Sequence, residues 1–270
     1  MAKRILLLGG HGKVSLLMTP KLLARSWNVT SVIRNLDQKN DILDAGKNGP
    51  GKVDVLIESI EDVKSEADAK RILDQVKPDW VVWSAGAGGK GGPDRTNAID
   101  RDAAIHFIRS SIATPSISKF LLVSALNVRR GRASWFDDES YASMQKVNTE
   151  AMPAYYKAKL AADEALTVLG EERVKQEGRD KFSYIILRPG ALIDDQETGL
   201  VSLGKTPARG SVTRADVADV AARLLENEGA YGWFDLLGGK EPTAEAVARV
   251  IKEGVNSMEG EDISVMKSNM

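Results

Sequence analysis

The sequence has no cysteine. That absence excludes disulfides, thiolate zinc sites, iron–sulfur clusters and a cysteine nucleophile. Histidine is confined to His11 and His106, so a His-rich metal site is excluded too, and no metal is expected. An excess of either charge is also missing: 37 basic against 38 acidic residues leave a net charge of −1. Nothing in that balance attracts nucleic acid or an anionic membrane. No apolar run approaches the roughly 20 residues that a membrane-spanning helix needs. Met1-Ala2-Lys3-Arg4 leads straight into an apolar run with no secretory pattern, so a cytoplasmic protein is the expectation. What remains, 270 residues of which 43% are hydrophobic and 28% charged, reads as one globular domain with at most a small appendage.

Short apolar runs alternate with amphipathic stretches almost to the end of the chain. The strand-like runs lie at residues 4–8, 28–34, 53–57, 80–85, 120–124 and 182–188. Helical periodicity fills residues 12–25, 61–76, 97–112 and 153–169 between them. Strands buried on both faces and joined by helices predict a parallel sheet covered on each side. Pro20 lies inside the first helical stretch, where its missing N–H and ring clash predict a kink or early break. Past residue 190 the pattern changes. Residues 199–203 and 233–237 read as short strands, and Thr213-Arg214-Ala215-Asp216 reads as a capping box opening a helix.

The first strand breaks on Gly9-Gly10-His11-Gly12-Lys13-Val14-Ser15 and then opens a helix. Glycines permit a sharp turn and close approach to a ligand, and the helix N-terminus offers unpaired N–H groups to an anion. That is how a Rossmann domain holds a dinucleotide pyrophosphate. A P-loop is excluded, because Val14 follows Gly12-Lys13 and Leu7 stands where its first glycine would be. The predicted fold is therefore α/β, a doubly wound parallel Rossmann sheet. Residues 1–255 form a single NAD(P)-binding domain on this reading, with about 191–255 as a small C-terminal substrate lobe and 256–270 as a frayed tail.

At the end of the second strand, NAD-selective sites carry a carboxylate for the adenosine ribose. This chain has Arg34, whose guanidinium suits a 2′-phosphate. NADP(H) is accordingly expected in preference to NAD(H). Ser84-Ala85-Gly86, at the end of the fourth strand, are small enough for a cofactor to lie against the backbone. Lys90 either reaches phosphate or belongs, with the glycines around it, to a mobile loop. Tyr155 and Lys159 are four residues apart and share a helix face. An ammonium beside the phenol would lower its pKa and make it a general acid/base. Between residues 127 and 139 a long segment precedes that helix. Trp135 and Phe136 within it either line an apolar pocket or anchor the segment.

Together these residues resemble the short-chain dehydrogenase/reductase superfamily. The similarity is strongest to its atypical NAD(P)H-binding branch, which includes NmrA-like and epimerase/dehydratase-like proteins, and to the fungal members in particular. It extends over roughly residues 3–237. The resemblance implies cofactor contacts at Gly9 to Val14, at Ser59 and Ile60 by the adenine, and at Ser84 to Gly86. It also implies that Arg188-Pro189-Gly190 border the nicotinamide pocket and that Lys159 holds the nicotinamide ribose. Glu58-Ser59 replace the Gly-Asp pair of the family. Ser124, Tyr155 and Lys159 take the catalytic positions, but Ala125 stands where the family often has the second, catalytic serine. The implied activity is NADP-dependent reduction of a carbonyl or imine of a small metabolite. A non-catalytic NADP-sensing regulator and an epimerase or dehydratase are the alternatives.

Overall fold

The computed structural model describes residues 2–270. Strands β1 (Arg4–Leu8), β2 (Asn28–Ile33) and β3 (Val53–Ile57) alternate with helices α1 (Lys13–Leu23) and α2 (Lys39–Ala45). Next come α3 (Glu66–Val76), β4 (Trp80–Trp83), α4 (Gly92–Thr96), a π-helical turn (Asn97–Ala103), α5 (Ala104–Ile112) and β5 (Lys119–Val123). Helix α6 (Asp138–Lys146) and a second π-helical turn (Val147–Ala151) lead into α7 (Pro153–Glu177), β6 (Ser183–Pro189) and β7 (Ala191–Ile193). The chain closes with β8 (Leu200–Gly204), β9 (Ser211–Thr213), α8 (Arg214–Glu226), β10 (Gly232–Gly238), β11 (Glu241–Pro242), α9 (Thr243–Lys252) and α10 (Ile263–Ser268).

Among the described residues, nine strands form one sheet in the order β11-β8-β10-β6-β5-β4-β1-β2-β3. From β10 to β3 neighbouring strands run parallel, and only β8 and β11 add antiparallel pairs. Strand order reverses between β1 and β4, the switch point at which doubly wound sheets bind ligands beyond their carboxyl ends.

The pleat divides each strand between two cores. Ile5, Leu7, Trp80, Val82, Leu121, Ile185 and Leu187 face α1 and α8. Leu6, Leu8, Val81, Trp83, Phe120, Leu122, Tyr184 and Ile186 pack in the other cluster, beneath α3, α5 and α7. This period of two, with both phases apolar, is why the strands read as continuous hydrophobic runs.

The structure refines three expectations. Helix α1 does not break at Pro20, which lies in its last turn; the helix runs on to Leu23 with Leu22 and Leu23 in the core. Residues 191–255, expected as a small C-terminal lobe of the single domain, divide between the main sheet and a small pair. Strands β8, β10 and β11 extend the main sheet, and only β7 and β9 stand apart as a two-stranded pair. Residues 256–270 are docked rather than frayed. The Ser257 hydroxyl accepts from the Asp235 N–H and donates to the Gly204 carbonyl, and Met266 on α10 is buried next to α7. The polar composition of this segment hid those contacts, because its partners lie far away in sequence. Thr213 caps α8 as expected, accepting from the Asp216 N–H at 2.9 Å. Among the described residues no helix is long and apolar enough to cross a membrane.

Candidate functional site

The glycine turn sits at the switch point. Gly9 has φ +81°, and a Cβ there would stand 2.6 Å from Ala85 Cα. The Gly12 N–H closes the turn on the Gly9 carbonyl at 2.9 Å, and Gly12 is also the N-cap of α1. The first intrahelical bond runs from Leu16 N–H to the Gly12 carbonyl, so the N–H groups of Lys13, Val14 and Ser15 precede the ladder. Gly10 and Val14 have structural surroundings. A Cβ on Gly10 would stand 2.8 Å from Ser31 Cβ, so Gly10 lets the turn lie against β2. The Val14 side chain is buried in the core under α1, leaving its backbone as the part available to an anion. Gly9→Ala is expected to abolish dinucleotide binding, because it adds αL strain of about 1–2 kcal/mol to the clash with Ala85. Calorimetric titration with dinucleotide checks this, and wild-type affinity in the variant would contradict the packing argument.

From this turn a crevice of about 440 Å³ extends along the carboxyl edge, lined by Gly9, His11, Gly12, Lys13, Ser59 and Ile60 among others. Ser84, Ala85 and Gly86 form its β4 wall, and Arg34 lines it from the end of β2. His11 is held by Asp41 at 2.7 Å and Gln38 at 3.1 Å. Lys13 reaches Asp194 at 2.6 Å across the chain. Arg34 is 53% exposed and only 3.5 Å from Glu61, whose carboxylate is already held by Arg95 at 2.6 Å. That Arg95 contact keeps the Glu61 carboxyl below its ordinary pKa. Glu58, the other carboxylate in the crevice, is likewise neutralised by Arg71 at 2.7 Å. Of the basic groups, Arg34 therefore stands at the crevice with only a long contact to hold it. Lys90 lines the same crevice on an exposed glycine-rich loop, where Gly88, Gly89, Gly91 and Gly92 all have positive φ.

A second cavity, about 670 Å³, opens beyond the ends of β5 and β6 and is lined by Ser124, Tyr155, Pro189 and Gly190. Met144 of α6, Val147 of the π-helical turn and Met152 at the start of α7 supply apolar wall. Trp135 and Phe136 are absent from the lining; they pack with Leu126 and Leu237, as anchors of the segment. Arg209 is the one charged lining residue. Tyr155 is half-buried there. Burial, reinforced by the carboxylates of Asp100 and Asp163, raises its pKa. That reverses the expected lowering by Lys159: the Lys159 ammonium is buried and donates to the Val123 carbonyl at 2.8 Å.

Ser124 lines the cavity, but its hydroxyl donates to Asp163 at 2.7 Å. Arg188 does not border the site. The pleat turns it under α7, fully buried, where it meets Asp235 at 2.7 Å, Asp163 at 3.4 Å and the face of Trp233 at 4.3 Å. It also donates to the carbonyls of Val128 and Leu126, bracing the loop that carries Ser124. Asp100 and Asp163 were missed from the sequence. Asp100 accepts from the Ala87 N–H at 2.9 Å beneath Gly86. Asp163 had a legible signal, since it lies four residues past Lys159 on the face that carries Tyr155.

A parallel sheet reversing at β1/β4, a glycine turn with no room for a side chain at Gly9 or Gly10, and small residues opposite it define a dinucleotide-binding Rossmann protein. The chain belongs to the NAD(P)H-binding family, which matches residues 9–228. It is 29% identical to a UPF0659 protein of Schizosaccharomyces pombe over 253 residues, covering 92% of this chain and 95% of that one. It is 35% identical to the uncharacterized sugar epimerase YhfK of Bacillus subtilis over 173 residues, covering 64% of this chain and 69% of that one. Among solved structures, a putative NAD-dependent epimerase/dehydratase from Bacillus halodurans is similar at TM-score 0.69 and 25% identity, covering 92% of this chain and all of that one.

Proposed function

We propose that the protein is an NADP-dependent oxidoreductase that reduces the carbonyl or imine of a small metabolite. The observation that carries this reading is the Tyr155 phenol, which lines the 670 Å³ cavity one helical turn from Lys159. A bound NADPH supplies hydride. Tyr155 donates the proton that the reduced oxygen or nitrogen requires. Its raised pKa keeps it in the acid form at neutral pH, the state a reduction needs. Lys159 keeps two N–H donors beyond the one given to Val123, enough to hold a ribose hydroxyl. Arg34 selects the 2′-phosphate, since its long contact to Glu61 leaves its guanidinium edge available.

An epimerase or dehydratase that uses the cofactor transiently is the second reading, favoured by the names of the Bacillus relatives. An NADP sensor without turnover is favoured by Ala125 and by a Ser124 hydroxyl turned to Asp163.

Thermal unfolding with NADPH, NADP, NADH and NAD tests the cofactor reading. At 100 times its dissociation constant a ligand adds about 2.7 kcal/mol of stability, so NADPH is expected to raise Tm clearly and NADH less. A larger rise with NADH overturns the Arg34 assignment. Arg34→Ala is expected to weaken NADPH by about tenfold or more and leave NADH unaffected. Consumption of NADPH with a panel of aldehydes, ketones and imines then separates the oxidoreductase from the sensor.

A further inference from the structure

We propose that Asp163 is a positioning residue: in its neutral form it donates to Ser124 and thereby aims the Ser124 hydroxyl into the substrate cavity. The inference rests on the oxidoreductase reading for its catalytic consequence, though not for its structural content.

Asp163 is fully buried on α7. One carboxyl oxygen takes the Ser124 hydroxyl at 2.7 Å and a long 3.4 Å contact from Arg188, while its other oxygen has no donor. A buried carboxylate with an unpartnered oxygen is costly, and protonation removes that cost. The charged and titratable groups facing Asp163 are Arg188 from β6 and Tyr155, Lys159 and Glu164 from α7 itself. Beyond Arg188 lies Asp235 from β10, fully buried and also with one oxygen lacking a donor. Glu164 is taken by Arg130. Desolvation raises Asp163 to about 7 against the pull of Arg188, Lys159 and Ser124.

The two protonation states dictate opposite hydrogen bonds. An ionised Asp163 has no proton to give, so Ser124 must donate to it and can offer a substrate only a lone pair. A neutral Asp163 donates to the Ser124 oxygen, and the serine proton turns toward the cavity it lines. There it polarises a substrate carbonyl beside Tyr155. This restores the donor that Ala125 fails to provide, but only while Asp163 is protonated.

Infrared difference spectroscopy between pH 5 and pH 9 reads the structural part without substrate. A protonated-carboxyl C=O band is expected at pH 5 to 6. It should fade near neutrality, be absent in Asp163→Asn and shift in Ser124→Ala, where its acceptor is gone. Turnover is expected to fall about tenfold per pH unit above that transition. Tyr155 contributes no such fall, because its own pKa lies higher still. Asp163→Asn, a neutral isostere whose amide also donates to Ser124, should abolish the alkaline fall, and Ser124→Ala should lower turnover and flatten the profile. An unchanged band in Asp163→Asn, a band unmoved in Ser124→Ala, or an alkaline fall that survives in Asp163→Asn each overturns the proposal. Failure of every dinucleotide to raise Tm would instead overturn the cofactor reading and leave the infrared result standing.

Discussion

Arg188→Ala is expected to destabilise the folded protein by about 3–5 kcal/mol. Its guanidinium is fully buried between Asp163 and Asp235 and lies over Trp233. Removing it leaves two buried carboxyls without their cation, strips donors from the Leu126 and Val128 carbonyls, and opens a void against the indole. Urea denaturation at pH 8 measures the loss. The deficit should shrink at pH 5. Burial already holds Asp163 and Asp235 above their ordinary pKa values, and without the arginine they take up protons more readily still. The wild type follows the same sign. Carboxyls whose pKa is raised by folding stabilise most at low pH, and that contribution is lost as pH rises through the folded pKa, about 7 for Asp163. A loss below about 1 kcal/mol at pH 8 would show that Arg188 is not the strut its contacts describe.

Tyr155→Phe is expected to lower turnover by about 10²–10⁴-fold and to leave the NADPH-dependent rise in Tm intact. Phenylalanine keeps the ring and its packing, and the phenolic oxygen takes part in no hydrogen bond that supports α7 among the described residues. The loss is therefore one of proton donation, visible in kcat more than in cofactor affinity. Equal turnover in the variant would move the acid elsewhere. The neutral Asp163–Ser124 pair would then be the first candidate to examine by the same kinetics.

Local pattern was enough for the fold. Apolar strands with both phases buried, helical stretches between them and glycines after the first strand specify a doubly wound sheet, because each signal depends on a few consecutive residues. For the same reason the glycine turn, Arg34, Ser84 to Gly86, and the Tyr155–Lys159 pair were legible: spacing along one strand or helix puts them on a known edge or face. Arg188 was misread because its position beside Pro189 and Gly190 says where the backbone goes, not to which side of the pleat a side chain turns. The docked C-terminal residues were misread because Ser257 and Met266 are ordinary in sequence and acquire partners only from β8, β10 and α7.

The order of residues thus settled the doubly wound sheet and the glycine turn after its first strand, both consequences of short-range periodicity and backbone freedom. Charge states in the interior were settled elsewhere, by elements far apart in the chain. The Tyr155 phenol is raised rather than lowered because burial penalises its charged form and Asp100 and Asp163 reinforce that, while Lys159 is committed to Val123. The direction of the Ser124 hydroxyl depends on a carboxyl 39 residues away. Desolvation and Coulomb energy depend on distance and burial in space, and neither can be read along the chain.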